Sequence, residues 1–296
     1  MQNKIIRFAN NPIIRPGMDA GMGSNINGPS LIRVPDWLPN PLGRYYLYFG
    51  HHHGVYIRLA YADKLEGPWS VVAPGTLRLE ETPCLDHIAS PDAHVEHTAR
   101  QIRLYYHGPV DLPSPLPGIF PGRAQKSFVA LSEDGINFRS GQEILGESYL
   151  RVFQYGGWHY ATSMPGFFYR SKDGLTGFEV GPRLFSNRMR HSALRVVGNQ
   201  LNVYYTNAGD RPESILHVTI DLSQDWMNWQ TSAPALVLQP ETEWEGAHLP
   251  LLPSERGSIE EPVRQLRDPC IFEEDGKVYL LYAAAGEAGI AIASII

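Results

Sequence analysis

The sequence predicts an all-β protein in which a single domain, residues 1–296, forms a five-bladed β-propeller. Three observations support this. Short alternating or wholly apolar runs recur between Gly, Pro, Asn and Asp, and helical periodicity is nearly absent. One layout, a polar residue, an apolar strand, a turn and a Tyr-rich strand, repeats five times. The last copy lacks a final strand, and the N-terminal run KIIRFANNPII can supply it and so close the ring.

The five copies predict five blades in chain order. We expect them at residues 24–82, 88–142, 145–186, 189–238 and 265–296, with residues 4–14 completing the last one. Four copies end on an acidic turn before an aromatic residue, as in ADKLEGPW and SQDWMNW, and the fifth stops at Ile296. A β-sandwich with accidental internal similarity is the alternative, and the in-order copies with complementary ends favour the propeller.

Composition excludes several classes of protein. The net charge is −6, so the chain carries no basic footprint for nucleic acid. No apolar stretch is long enough to cross a bilayer. The N-terminus lacks the apolar core of a signal peptide, so we expect a cytoplasmic protein, with a trimmed signal as the open alternative. The two cysteines do not form the pattern of a disulfide framework.

The polar residues that open the five copies are expected to meet. The first strand of each propeller blade lines the central channel, and all five begin at one face. This places five anchors at a common mouth: Asn27, Asp92, Glu147, His191 and Asp268. Loops between second and third strands open there too, and so does the long insert at residues 239–265. Loops of this size on a rigid scaffold more often carry binding than structure.

Three carboxylates and an imidazole in one funnel cannot all be charged at low cost. At least one carboxyl pKa should rise unless a metal ion or an arginine compensates. One protonated and one ionised carboxyl is the arrangement that general acid–base chemistry needs. The alternative is that each acid only caps a turn at its strand.

Several motifs resemble glycoside hydrolase family 43 and its five-bladed relatives. They are SPDAHVE with IRLYY, GESYLRVFQYGGWHYATS, NGPSLIRV with GRYYLYF, and RDPCIFEEDGKVYLLY. Together they cover essentially the whole chain, although each is short and only the set is specific. The resemblance implies a glycoside hydrolase that acts with inversion on an oligosaccharide, with furanosides and anhydro-sugars among the candidate substrates. It implies no required cofactor. Action from the chain end is our further expectation, from the long loops around the mouth.

The resemblance also implies roles for individual residues. Glu147 would be the general acid and Asp92 the residue that tunes it. The first blade should carry an aspartate as general base, but this sequence has Asn27, whose amide cannot take a proton from water. We therefore assign the base to Asp268, with Asp19 as a second candidate. Arg267 precedes Asp268 and should lower its pKa, which favours a base.

Other polar and aromatic residues are candidates for substrate binding. Consecutive residues on an extended segment alternate in direction, so at most two of His51, His52 and His53 should face one ligand. His191 is compatible with a structural Ca²⁺ at the axis, but no ligand spacing demands one. Phe120 and Trp244 could stack on a sugar or pack in the core. The predicted substrate contacts are Asn27, His51, His52, His53, His107, His191, Trp244 and Arg267.

Three other functions remain open. A phosphorylase needs a cationic phosphate pocket, and Arg123, Arg211 and Arg267 fall near mouth loops without clustering in the sequence. A polysaccharide lyase could use one of the three consecutive histidines as its base. A sugar-binding propeller without activity is the third alternative, and Asn27 at the expected base position is the feature that favours it.

Overall fold

The computed structural model describes residues 4–118 and 121–296 as five antiparallel sheets arranged as the blades of a propeller. The predicted fold is therefore confirmed. Strands β1 to β10 are Ile5–Arg7, Asn27–Arg33, Tyr45–Gly50, Arg58–Ala62, Ser70–Val72, Ala89–Glu96, Gln101–Pro113, Arg123–Ser132, Arg139–Ser140 and Gly146–Glu147. Strands β11 to β21 are Arg151–Tyr155, Trp158–Ser163, Phe167–Ser171, Glu179–Arg183, Met189–Val197, Gln200–Asn207, Ile215–Asp221, Ala235–Leu238, Arg267–Glu274, Lys277–Ala283 and Ile290–Ile295.

Each blade is a meander of consecutive strands. Blade one is β2–β5, blade two β6–β9 with β10 added on β8, blade three β11–β14, blade four β15–β18, and blade five β19–β21 with β1. Within residues 4–118 and 121–296 the only helices are three 3-10 turns, at Leu79–Glu81, Trp226–Asn228 and Glu243–Glu245. None of these described helices is long or apolar enough to cross a membrane.

The second strands are buried on both faces because neighbouring blades pack against each side. In β3 the alternate residues Tyr46 and Tyr48 join a cluster with Leu104 and Tyr106 of blade two. The intervening residues Tyr45, Leu47 and Phe49 join a second cluster with Phe272 and Leu281 of blade five. Since side chains alternate along a strand, an uninterrupted apolar run such as YYLYF can serve two interfaces.

The ring is closed by the two ends of the chain. Strand β1 pairs antiparallel with β21, in the register Ile5 with Ile295 and Arg7 with Ala293. The expected contribution of the N-terminal run to the last blade is thus confirmed, and β21 does not present an open edge at this side.

The first strands share a backbone irregularity at the channel mouth. In blades one, two, four and five the pairing with the second strand shifts register near its start. Regular pairing of the first strand with the second begins at Ser30, Asp92, Arg151, Ser192 and Cys270 in the five blades. In four blades the residue two places before this point has positive φ: Gly28 (58°), Ser90 (52°), Tyr149 (63°) and Asp268 (48°).

This irregularity corrects the alignment of the sequence anchors. Asp92 lies two residues farther along its strand than Asp268, whose true counterpart in blade two is Ser90. Glu147 lies two residues before Tyr149, the counterpart in blade three, and belongs to β10 on the flank of blade two. The five anchors therefore do not occupy one level of the channel.

Candidate active site at the channel mouth

A polar pocket opens at the channel mouth, and all five blades contribute to it. The insert between blades four and five adds Arg256 and Gly257, as expected from the sequence. The other polar and aromatic lining residues are Asn27, His52, His87, Ser90, His107, Gln125, Tyr149, Arg190, His191, Asp268 and Glu287. Of the three predicted catalytic carboxylates, only Asp268 lines this pocket.

Asp268 is held by side chains from two other blades. Its side chain is almost fully buried, and Oδ1 accepts a hydrogen bond of 2.9 Å from the Tyr149 hydroxyl. Its backbone N–H donates to His191 Nδ1 at 3.3 Å, and His191 Nε2 lies 3.5 Å from Asp268 Oδ1. Because Nδ1 accepts a hydrogen bond, the neutral imidazole carries its proton on Nε2, on the side of the carboxylate.

The surroundings of Asp268 favour its protonated form. Burial and the negative charge of Glu287 raise its pKa to about 6, and Arg190, the Tyr149 hydrogen bond and Arg267 only partly offset this. Arg267 does lower the pKa of Asp268, as expected, but burial and Glu287 outweigh it, so the net shift is upward and does not favour a base. The Arg267 guanidinium donates to Glu287 Oε1 at 2.8 Å and to Gln265 Oε1 at 2.7 Å.

Glu287 is a second acid of the mouth that sequence reasoning missed. It lies in the short turn AAGEAG between β20 and β21. Its Oε2 accepts hydrogen bonds from Asn25 Nδ2 at 2.7 Å and Asn27 Nδ2 at 3.1 Å. Burial opposes its ionisation, but His52, Arg267 and Asn25 together lower its pKa to about 2. Asn27 therefore serves to hold a carboxylate, while Arg267 lies behind the pocket wall.

Arginines that are distant in sequence come together beside this pair of acids. Arg190 and Arg267 each lie 3.4 Å from Oε2 of the fully buried Glu213. Arg190 also donates to the Glu255 carbonyl at 2.8 Å. Arg190 and Arg256 line the pocket. Sequence reasoning missed this cluster because its members come from a first strand, the long insert and another blade.

The two other arginines considered at the mouth form separate contacts. Arg123 pairs with Asp86 at 3.2 Å, and both side chains are largely exposed. Arg211 Nε donates to the Leu251 carbonyl at 2.8 Å. Neither lines the mouth pocket.

The histidines divide into mouth residues and rim residues. His52, His107 and His191 line the pocket, together with His87, which the sequence did not single out. Burial lowers the pKa of His107 and His191 well below the usual value and that of His87 to about 4, so these imidazoles are neutral at pH 7. One of the three consecutive histidines thus faces the pocket.

The other two consecutive histidines lie at the rim. The Nε2 of His53 is 3.3 Å from the Ser258 hydroxyl, and His51 Nδ1 accepts from the His53 backbone N–H at 2.9 Å. Neither His51 nor His53 lines the pocket.

Asp92 lies farther along the channel, in a separate cavity that it shares with His94, Arg151 and Cys270. Its Oδ2 accepts hydrogen bonds from His94 Nε2 at 2.8 Å and from the Val152 N–H at 2.9 Å. Burial alone would raise its pKa, but His94, Arg151 and the Val152 N–H outweigh burial and lower it. Asp92 therefore does not join Asp268 at the mouth.

Glu147 lies on the flank between blades two and three. It forms an ion pair with Lys126 and lines a more apolar depression that includes Phe167, Tyr169 and Val180. The predicted meeting of three carboxylates is therefore wrong, because the chain enters blade three along the outside of blade two before it reaches the axis.

Two further candidates, Trp244 and Asp19, lie elsewhere. The Trp244 ring stacks on Tyr282, with centroids 6.5 Å apart, and packs against the core between blades four and five. Asp19 Oδ1 accepts from the Gly21 N–H at 2.9 Å within its own turn. Neither lines the mouth pocket. Phe120 is outside the described residues.

The residues at the axis do not fit a calcium ion. Ca²⁺ is bound by six to eight oxygen ligands, whereas the buried Arg151 guanidinium lies here, 4.0 Å from the centroid of the Tyr149 ring. Across residues 4–118 and 121–296, no three His, Cys, Asp or Glu side chains are grouped so that they could hold a metal ion.

Comparison with solved structures defines the class to which this fold belongs. A thermostable family-43 glycoside hydrolase matches with a TM-score of 0.62 and 12% identity, over 93% of this chain and 91% of that one. A protein described under the GH130 family of mannoside phosphorylases, which contains hydrolases targeting β-1,2 mannosidic linkages in Candida mannan, matches with a TM-score of 0.68 and 11% identity. This second match covers 99% of this chain and 94% of that protein's chain. The fold is thus that of the five-bladed propellers of carbohydrate-active enzymes.

A curated relative then identifies the family. The chain is 38% identical to "Uncharacterized protein R118" of Acanthamoeba polyphaga mimivirus, in an alignment 326 positions long that covers 97% of this chain and 89% of that protein. The chain therefore belongs to the family of that protein. No protein-family model matches the sequence.

Proposed function

We propose that the chain is a glycoside hydrolase that cleaves an oligosaccharide at the channel mouth, with Asp268 as the general acid. One observation carries the proposal: a buried carboxyl with a pKa of about 6 lines a polar pocket. A general acid works best when its pKa lies near the operating pH. This reverses the role of base that the sequence suggested for Asp268.

The neighbours of Asp268 support this role chemically. The Tyr149 hydroxyl and His191 fix the direction of the carboxyl, so that its proton can be given to a glycosidic oxygen in the pocket. Glu287 stays ionised beside it and disfavours loss of that proton. A fixed negative charge also stabilises the oxocarbenium-like transition state of glycoside cleavage.

The shape and the relatives support action on the end of an oligosaccharide. The lining residues come from all five blades and the insert, which describes a pocket closed on its sides rather than a groove. One structural neighbour, from Xanthomonas citri, was solved with xylose and also with xylotriose. We propose exo-action with inversion on a short oligosaccharide, and furanosides and anhydro-sugars remain candidate substrates.

Phosphorolysis is a second candidate, favoured by the composition of the pocket. A hydrolase that inverts needs a base to activate water, but both oxygens of Glu287 are engaged and the buried imidazoles are weak bases. Phosphate is itself a nucleophile and needs no such base. Arg190 and Arg256 line the pocket and supply positive charge for it.

Product analysis distinguishes these functions. The protein is incubated with aryl pyranosides, aryl furanosides and short oligosaccharides, with and without inorganic phosphate, and products are followed by NMR. Hydrolysis gives free sugar at the same rate in both series, and the first-formed anomer reports inversion. Phosphorolysis gives a sugar 1-phosphate only when phosphate is present.

Two other outcomes would contradict the proposal. An unsaturated product absorbing in the ultraviolet would indicate a lyase. Tight oligosaccharide binding without turnover in either series would identify a sugar-binding propeller.

A further inference from the structure

Tyr149 reaches Asp268 from the other side of the channel. It belongs to the entry of blade three, whereas Asp268 begins blade five, and their side chains are joined by the 2.9 Å hydrogen bond from the phenol to Oδ1. The Tyr149 ring is 1% exposed. One neighbour is the Arg151 guanidinium, 4.0 Å from the ring centroid, and another is the His191 ring, with centroids 4.9 Å apart.

The backbone at Tyr149 is strained in a way that needs an explanation. Its φ is 63°, in the left-handed region that glycine and asparagine tolerate and bulky residues rarely adopt. The counterparts in blades one and two are Gly28 and Ser90, which are small. Such strain persists where the surroundings impose it, often at functional sites. A side chain long enough to cross the channel is what Tyr149 adds at this position.

We infer that Tyr149 is a positioning residue that aims the Asp268 carboxyl into the mouth and tunes its protonation. The inference rests on the proposed function, in which Asp268 donates a proton. The phenol remains protonated, because burial raises its pKa well above 10, so it is a permanent donor toward Oδ1. A donor stabilises the ionised carboxylate more than the neutral acid. The Tyr149 hydrogen bond therefore lowers the pKa of Asp268, whereas burial and Glu287 raise it.

Other charged and titratable groups also surround Asp268. Glu287 faces it from the turn of its own blade and favours the proton, whereas Arg190 from blade four and Arg267 from its own strand favour ionisation. Arg151 from blade three lies 4.0 Å from the centroid of the Tyr149 ring. His191 is neutral because burial and the nearby arginines lower its pKa. Of the two neutral donors beside Oδ1, the Tyr149 hydroxyl at 2.9 Å is therefore closer than His191 Nε2 at 3.5 Å.

The test is the titration of Asp268 itself. Aspartate is labelled with ¹³C at the carboxyl carbon, and the Asp268 signal, assigned with Asp268→Asn, is followed against pH in the wild type and in Tyr149→Phe. Loss of the donor should raise the titration midpoint by about one pH unit, since a hydrogen bond to a charged group has a net value of that order. The pKa that limits kcat on the basic side of its pH profile should rise by the same amount.

A matched control separates tuning from packing. Tyr48 is also fully buried, but its hydroxyl donates to the backbone carbonyl of Gly135 at 2.8 Å, in the core between blades one and two rather than at the channel mouth. Tyr48→Phe removes a phenol hydrogen bond of the same kind and should leave the Asp268 midpoint unchanged. If Tyr149→Phe fails to fold, 3-fluorotyrosine placed at position 149 keeps the ring and strengthens the donor, and the midpoint should then fall.

The outcomes are decisive in both directions. A midpoint that moves up in Tyr149→Phe or down with 3-fluorotyrosine, with Tyr48→Phe unchanged, supports the inference even if no glycoside is cleaved. In that case the proposed function fails and the tuning stands. A midpoint that does not move in the variant that folds overturns the inference, whatever the activity.

Discussion

The channel contains two aspartates, Asp268 buried and Asp92 partly buried, and their surroundings shift their pKa values in opposite directions. Asp268 at the mouth is buried and lies near the carboxylate of Glu287, and these two effects outweigh the hydrogen bond from the Tyr149 phenol, so its pKa rises to about 6. Asp92, farther along, contacts His94 at 2.8 Å and a backbone N–H, so its pKa falls. Both residues are near the start of a first strand, and the difference between them is two residues of register.

This comparison shows that position along the first strand decides which acid can hold a proton. At the position of positive φ the Asp268 side chain joins the mouth, where the negative charge of Glu287 acts on it. Two residues on, the side chain joins the inner cavity and meets an imidazole. The residue type alone therefore says little about function in this channel.

The largest effect is expected from Asp268→Asn. Removal of a general acid should lower kcat by roughly 10²–10⁴-fold. The free energy of unfolding, in contrast, should increase. The folded state holds a proton that the unfolded chain releases near pH 4, so the wild type loses stability as pH rises from about 4 to about 6. The shift from 3.8 to about 6 corresponds to about 3 kcal/mol.

The asparagine variant avoids that loss. Urea unfolding at pH 4 and pH 8 should show Asp268→Asn gaining stability over the wild type, mainly at pH 8. A variant that is inactive but less stable than the wild type at pH 8 would contradict the raised pKa of Asp268.

Glu287→Gln should reduce the difference in pKa between Asp268 and Asp92, because it removes the negative charge that acts on Asp268. The buried Arg267 loses the closer of its two charged partners and keeps Glu213, and we expect a loss of about 3 kcal/mol at pH 7. The pKa of Glu287 is lowered to about 2, so its stabilising contribution is complete above its unfolded value of 4.5 and is lost as pH falls toward 2. The deficit of the variant, measured by urea unfolding, should therefore shrink between pH 7 and pH 3.

The same substitution should also act on Asp268. Without the neighbouring negative charge its pKa should fall, and the ¹³C titration of its carboxyl would record this. An unchanged midpoint would show that Glu287 does not govern Asp268.

Asp92→Asn is the same chemical change at the inner aspartate and should have a smaller effect. The amide oxygen can still accept from the Val152 N–H, but the charge contact with His94 is lost. We expect a loss of about 1–2 kcal/mol at pH 7, with kcat and its pH profile close to wild type. A large fall in kcat, with stability retained, would place Asp92 in the catalytic machinery after all.

The smallest effect is expected from Glu147→Gln. The ion pair with Lys126 is partly exposed on the flank, with side chains 21% and 15% accessible, and such pairs contribute about 1 kcal/mol or less. Activity should stay within about twofold of the wild type. Loss of turnover without loss of folding would restore the role that family resemblance implied for Glu147.

The fold could be predicted because each blade repeats its own pattern locally. Five in-order copies and two complementary ends specify a closed ring without any knowledge of distant contacts. The same reasoning correctly placed the insert at the mouth, where Arg256 and Gly257 now lie.

The site was predicted less well because the copies were aligned on polar residues. The prolines in NGPS, SPDA and DPCI are the better marker, since Pro29, Pro91 and Pro269 each follow the residue of positive φ. Aligned on these prolines, Asp268 matches Ser90 and Gly28 rather than Asp92. Glu287 could not be found from any local pattern, because its partner Asn25 is 262 residues away.

The joining of the two chain ends has a consequence for how the protein acquires its chemistry. Residues that meet across nearly the full length of a chain have the slowest contacts to form. The pairing of β1 with β21 and the contact of Asn25 with Glu287 both belong to this class. The contacts that hold Glu287 beside Asp268 should therefore form only when the last sheet is completed. Folding intermediates with four completed blades would be compact but inactive, because the mouth pocket would be incomplete.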